Sequence, residues 1–180
     1  MSDEDIIRDV LAGNVNRYAE IVREYQTIVA NLCYRMGCRG DDVEEVTQRV
    51  FVELYQALPR FRFQSKLSTF IYRITVNQVC KEQGRSQRIV YSTDIVSSMA
   101  IPSDGRNAEQ AIIHDEQISQ LREAIGRLHR EQRTALVLYT FDNFSYNDIA
   151  DVMQCTTAKV ESLIFRARKN LAKMLNTSKS

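Results

Sequence analysis

The chain has 180 residues, 44% hydrophobic and 26% charged, and its 24 Lys and Arg against 23 Asp and Glu leave a net charge of +1. That length fits one or two small domains, each able to bury a core. No apolar run approaches the roughly 18 residues needed to span a bilayer, and the acidic start Met1-Ser2-Asp3-Glu4-Asp5 is no signal peptide. A cytoplasmic protein with no membrane contact of its own is therefore expected.

Two prolines, six glycines and few β-branched alternations predict an all-α fold. Helical spacing of apolar residues runs from about Val15 to Met36, and the turn Gly37-Cys38-Arg39-Gly40 follows. Asp41 or Asp42 caps the next predicted helix, which carries Val43, Val46, Val50, Phe51 and Leu54 and ends near Ala57-Leu58 because Pro59 follows. After an irregular stretch from Arg60 to Lys66, a further helix starts at Ser68 or Thr69 and runs to about Gly84. From Ile89 the helical period fails and the sequence turns polar, as in Ser97-Ser98 and Pro102-Ser103-Asp104-Gly105. Helices resume around Ile112–Leu128, Glu131–Phe141, Ser145–Met153 and Thr157–Leu175. The expected organisation is two small helical domains, residues 1–88 and 109–180, joined by a flexible linker at 89–108.

The near-zero net charge hides three blocks. Between Arg60 and Arg88 stand seven cations against Glu82 alone. Between Asp41 and Glu53 stand five carboxylates against Arg49, and from Lys159 onward six cations face Glu161. The basic blocks suit phosphates, and the acidic block calls for a basic partner. Chemistry of the enzymatic kind has no foothold. No Ser/His/Asp arrangement, metal-ligand spacing or Gly-rich phosphate loop is present, and His114 and His129 stand alone. Cys33, Cys38, Cys80 and Cys155 read as core or boundary thiols, and Cys33 and Cys38, five apart on what reads as one helix, are not expected to stack. No enzyme, cofactor or metal is expected.

The last 36 residues are the most telling. Ser145 with Asp148 three residues on forms a capping-box pattern for a short helix, and Gln154-Cys155-Thr156 makes a tight turn. Thr156 or Thr157 can cap the helix that follows. At about 100° per residue, Val160, Ile164, Ala167, Leu171 and Leu175 share one arc of that helix, while Lys159, Ser162, Arg166, Lys169 and Lys173 share the roughly opposite one. One face packs and the other meets anions, which is the logic of a helix-turn-helix reading a DNA major groove. Upstream, Phe61–Asn77 interleaves aromatics, amides and cations, a combination suited to unpaired bases. Ile71 and Ile74 read as core; Phe63, between Arg62 and Gln64, does not; and Asn77, whose amide can pair with a base edge, fits either role.

Taken together, these stretches resemble the extracytoplasmic-function (ECF) group of the bacterial sigma-70 family of RNA polymerase sigma factors. The family's region-2 pattern appears in Asp42-Val43-Glu44-Glu45-Val46-Thr47-Gln48-Arg49-Val50-Phe51 and in Phe61–Asn77. Its region-4 pattern appears in Phe144-Ser145-Tyr146-Asn147-Asp148-Ile149-Ala150 and in Val160, Ser162 and Arg166-Ala167-Arg168. The resemblance implies an alternative sigma factor, not an enzyme, that binds core polymerase and directs promoter-specific initiation. Residues 1–88 would be region 2 and 109–180 region 4.

The resemblance implies roles position by position. Asp42, Glu45, Gln48 and Glu53 would bind core polymerase, whose β′ clamp and β flap are the implied contacts. Phe63, Gln64, Ser65, Lys66, Phe70, Tyr72, Arg73 and Asn77 would read the melted −10 element and capture a flipped base, with Lys81, Arg85 and Arg88 tracking upstream phosphates. Thr156, Thr157, Lys159, Ser162, Leu163, Arg166, Lys169 and Lys173 would read the −35 element, Leu163 through a thymine methyl. An anti-sigma factor is the implied regulating partner. The chain departs from the pattern at Arg49 (usually Glu), Phe63 (usually Gly) and Phe70 (usually Trp), and Glu161 and Leu163 stand where Lys and Arg are common. The competing expectation is a two-domain helix-turn-helix regulator with an N-terminal sensor, which leaves the acidic helix and the aromatic loop unexplained.

Overall fold

The computed structural model describes residues 3–89 and 119–177, with side chains to residue 84 in the first stretch and to residue 176 in the second. The described residues form helices, turns and loops, with no strand. The predicted linker, residues 90–108 in particular, lies outside them.

The first unit holds α1 (Asp3–Leu11), α2 (Tyr18–Arg35), α3 (Asp41–Ala57) and α4 (Leu67–Ile89). The sequence reading has no element at α1, yet Ile6, Ile7 and Val10 form a buried stripe there and Asp3, Glu4 and Asp5 occupy the positive end of its dipole. Tyr25 of α2 secures it by donating to Asp3 Oδ2 at 2.9 Å. Tyr18, at the start of α2, donates to the Phe51 carbonyl of α3 at 2.6 Å. Ile7, Ile21, Leu32, Met36, Val46, Leu54, Leu58 and Ile71 are buried to 1% exposure or less and make the centre of the unit. α4 begins one residue before the expected Ser68 and runs through Gly84, since a single glycine weakens a helix without ending it.

α2 ends in a hydrogen-bonded reversal. Gly37 takes φ +104°, its N–H bonds to the Tyr34 carbonyl, and the Cys38 N–H reaches back to the Cys33 carbonyl, both at 3.0 Å. This fold-back lays Cys38 on Cys33, contrary to the expectation for two residues five apart on one helix. The helix stops between them. Both thiols are buried, and a hydrogen bond from Cys38 lowers the Cys33 thiol below its ordinary range.

The second unit contains α5 (119–127), α6 (Arg130–Phe141), α7 (Tyr146–Met153) and α8 (Thr157–Thr177). Its core is Leu138 and Val137 of α6, Ile149 and Val152 of α7, and Val160, Ile164 and Ala167 of α8. Arg133 secures the end of α5 by donating to the carbonyls of Ile125 (3.1 Å), Gly126 and Leu128 (3.2 Å). The two units pack together, α7 lying on α4. Tyr72 and Phe144 meet ring to ring at 4.6 Å.

Candidate nucleic-acid interface

The helix-turn-helix is built by the local chemistry its sequence announces. Ser145 Oγ accepts from the Asp148 N–H and Asp148 Oδ2 accepts from the Ser145 N–H, each at 3.1 Å, so the capping box of α7 is complete. The Ser145 hydroxyl also donates to Asp148 Oδ2, and this bond, followed by the one from the Ser145 N–H, holds the Asp148 carboxyl below the usual carboxylate range. Gln154 takes the left-handed conformation (φ +52°) that turns the chain into α8, and Thr156 Oγ1 caps it by accepting from the Lys159 N–H at 3.2 Å. The cap is Thr156 and not Thr157.

On α8, Val160, Ile164 and Ala167 face inward, and Thr156, Thr157, Lys159, Ser162, Arg166, Lys169 and Lys173 are exposed. Leu163 is a correction. At 6% exposure it packs into the core with Ile149 and Ile164, so it is not presented to a thymine methyl. The exposed apolar residue of this face is instead Phe165, 67% accessible beside Ser162 and Lys169. Its place on the wheel, outside the packing arc, was the signal in the sequence. Lys159 is held by Glu131 at 2.7 Å, which lowers the Glu131 carboxyl and raises the Lys159 amine. Arg168 lies over the Tyr139 ring at 5.3 Å and so belongs to the packing of α6 on α8.

In the first unit the 61–66 loop is organised by its aromatics. Phe61 stacks edge-on with Phe63 at 5.0 Å and tilted with Phe70 at 5.1 Å, and the Arg8 guanidinium sits 5.8 Å from the Phe63 ring centre. Phe63 is thus half-buried, with φ +56°. The left-handed backbone explains why a glycine is usual here. Between the loop and α1 lies a cavity of about 280 Å³, bordered by Glu4, Phe61, Phe63, Ser65 and Lys66. Gln64, Lys66 and Asn77 are exposed, and Asn77 stands on α4 between buried Val76 and Gln78. That resolves its sequence ambiguity against a core role.

Tyr72 and Arg73 are placed differently. The Tyr72 ring is 8% exposed, its hydroxyl donates to Asp142 Oδ1 at 2.9 Å, and Arg73 Nη2 donates to the Asp151 carbonyl at 2.9 Å. Both engage the second unit. Lys81 is drawn to Glu53 at 3.5 Å. The side chains of Arg85 and Arg88 lie outside the described residues.

On α3, Asp42, Glu45 and Gln48 are exposed along one side. Partial desolvation and the nearby Glu82 and Glu45 charges raise the carboxyl of the exposed Asp42. Val52 (58%) and Tyr55 (40%) extend this face with exposed apolar surface that the sequence reading missed. Glu53 does not join it. It is half-buried and accepts from Gln78 and Lys81 of α4, so its geometry is that of a tie between helices. Arg49, the unusual cation, turns away to Glu82 of α4 at 2.6 Å.

Comparison with known proteins agrees with this geometry. The profile for Sigma-70 region 2 matches residues 21–89, and that for Sigma-70, region 4 matches residues 118–171. The chain is 32% identical to the RNA polymerase sigma-H factor of Pseudomonas aeruginosa, over 96% of this chain and 93% of that protein. It is also 32% identical to the ECF RNA polymerase sigma-E factor of Escherichia coli K12, over 94% of this chain and 92% of that protein. Two solved structures share the fold. One is CnrH in complex with the cytosolic domain of CnrY (TM-score 0.68, 22% identity, 97% of each chain). The other is the sigma factor RpoE in complex with the anti-sigma factor NepR from Bartonella quintana (TM-score 0.67, 20% identity, 88% of this chain and 96% of that chain). The acidic helix, the aromatic loop and the capped helix-turn-helix, in this order and with these matches, place the chain in the sigma-70 family of RNA polymerase sigma factors, within its ECF group.

Proposed function

We propose that this alternative sigma factor reads promoters with two faces, region 2 on the melted −10 strand and region 4 on the −35 duplex. It has no catalytic chemistry of its own and works in the cytoplasm with core polymerase. The observation that carries the reading is the exposed amide of Asn77 on α4, two helical turns on from Phe70, which packs on Phe61 of the aromatic loop that borders the cavity. An exposed amide on the helix that carries part of an aromatic cluster offers the hydrogen-bonding and stacking groups a flipped base requires. Gln64, Ser65, Lys66, Phe63 and Phe70 complete that face; Tyr72, Arg73, Lys81, Arg85 and Arg88 are assigned to the strand and its upstream phosphates by the family resemblance alone.

The exposed face of α8 supplies Thr156, Thr157, Lys159, Ser162, Arg166, Lys169 and Lys173 to the −35 major groove, joined by Phe165. The α3 face of Asp42, Glu45 and Gln48, with Val52 and Tyr55, supplies an acidic surface with an apolar centre for the β′ clamp; the β flap falls to region 4. An anti-sigma factor is the regulating partner, a point carried by the family alone. The two-domain sensor reading has no observation in its favour.

The test is to separate polymerase binding from melting. Asn77→Ala should cut open-complex formation, read by permanganate reactivity of the −10 thymines, far more than it cuts binding to core polymerase. Equal loss of both would remove the base-capture role.

A further inference from the structure

Lys159 stands in the first turn of α8, the part of a recognition helix whose side chains reach base edges. It is fixed at both ends. Its backbone N–H donates to Thr156 Oγ1 at 3.2 Å, and its ammonium donates to Glu131 Oε1 at 2.7 Å. Glu131 lies in the first turn of α6, where the helix dipole favours a carboxylate. The contact therefore ties the start of the reading helix to a different helix. Among the described residues, Arg166 and Lys169 of the same exposed face have no carboxylate partner.

Stability does not account for this pair. Its side chains are 47% and 44% exposed, and ion pairs so open to water contribute little. α6 and α8 are held together without it. Leu136 and Ala167 share a buried cluster, Arg168 lies over Tyr139, and Asn170 donates to Gln132 Oε1 at 2.9 Å. The α8 dipole, for its part, disfavours a cation in the first turn, so Lys159 is not placed there for the sake of its helix. What the pair changes is the electrostatics of the reading face. A free lysine is a mobile point charge that any phosphate satisfies, and each such contact adds sequence-independent affinity. With a carboxylate at 2.7 Å the pair is neutral as a unit, and two of the three ammonium N–H donors remain available.

We propose that Glu131 is a positioning residue for −35 selection, holding Lys159 off the phosphates and presenting it as a donor to the N7 and O6 acceptors of a guanine edge. The proposal rests on the reading of α8 as the −35 helix. Glu131 touches no DNA in this scheme and acts through Lys159. A cognate element gains the hydrogen bonds, while phosphates elsewhere gain nothing from the neutralised pair, so both effects favour discrimination over general affinity.

The experiment uses holoenzyme reconstituted from core polymerase and the full chain, native or carrying Glu131→Gln, Lys159→Ala or both, with the helicity of each chain checked by circular dichroism. Binding is measured across a salt series to a promoter fragment selected by run-off transcription and to the same fragment with its −35 element scrambled. Glu131→Gln should raise affinity for the scrambled fragment about five- to tenfold and steepen its slope of log K against log salt by about 0.9, as one more phosphate is neutralised. The ratio of affinities, promoter over scrambled, should fall about tenfold. In the Lys159→Ala background the same substitution should change neither slope nor ratio. An unchanged ratio in the single variant overturns the positioning role. So does an effect that persists without Lys159, because Glu131 then acts on DNA directly. Arg166→Ala in the same assay separates this role from the reading beneath it. If Arg166→Ala moves slope or ratio while Glu131→Gln moves neither, α8 still reads DNA and only the positioning role falls. If no variant moves either quantity, the −35 reading of α8 falls with it.

Discussion

Arg49 of α3 and Glu82 of α4 meet at 2.6 Å, with side chains 25% and 15% exposed. The pair draws the one cation of the acidic helix toward α4, although Arg49 also reaches Glu45 at 3.4 Å, and leaves Asp42, Glu45 and the neutral Gln48 on the outward face. Arg49→Glu, which restores the family's usual residue, should set two carboxylates against each other. We expect it to destabilise the first unit by about 1–3 kcal/mol, less than for a fully buried pair. Urea unfolding followed at 222 nm measures this, and an unshifted midpoint would show that α4 moves aside without cost.

Phe63 tests the left-handed loop. Phe63→Gly and Phe63→Val both remove the ring from Phe61 and Arg8, but only valine keeps a Cβ at φ +56°. The valine variant should be less stable than the glycine variant by about 1–2 kcal/mol. Equal stabilities would mean that the loop relaxes out of this conformation once the ring is gone.

The capping box makes a pH-dependent prediction. Ser145→Ala should cost about 1 kcal/mol at neutral pH. Because Ser145 depresses the Asp148 carboxyl in the fold, its contribution is present above the unfolded value, about 3.9, and fades as pH falls through the lower folded value. Melting curves of the variant and the native chain should therefore converge toward about pH 2 relative to their separation at neutral pH. A gap of constant width would leave only the hydroxyl's own bond to the Asp148 N–H.

Charge and apolar contact on α8 separate by salt. Lys169→Ala or Arg166→Ala should lower the slope of log K against log salt on −35 duplex by about 0.9 per phosphate lost. Phe165→Ala should leave the slope intact and weaken binding by about 1.5 kcal/mol, roughly tenfold. Identical slopes for all three variants would take the cations off the phosphates.

What could be read from sequence was local. The capping box at Ser145 and Asp148 lies within one helical turn, and the packing arc of α8 follows from a single period. Asn77 and the aromatic loop carried their chemistry in residue type. Tertiary contacts were the part that stayed hidden. Asp142 gave no sign of its partners because Tyr72 and Arg35 lie 70 and 107 residues away. Leu163 sat at the edge of two arcs, and only the tertiary packing of α8 assigns it to the core. The pairing of Cys33 with Cys38 required knowing that the helix ends between them.

That ending has a consequence for how much variation the chain tolerates. A Cβ at position 37 would stand 3.2 Å from Arg133 Nη1 and 3.5 Å from Gln83 Nε2, the two groups that share the Met36 carbonyl. A side chain there would be strained by its own backbone and would also press on the join between the units. One glycine thus answers for a local turn and for a long-range assembly, and a lesion at this position would leave every proposed DNA contact chemically intact while disturbing how the two readers are held.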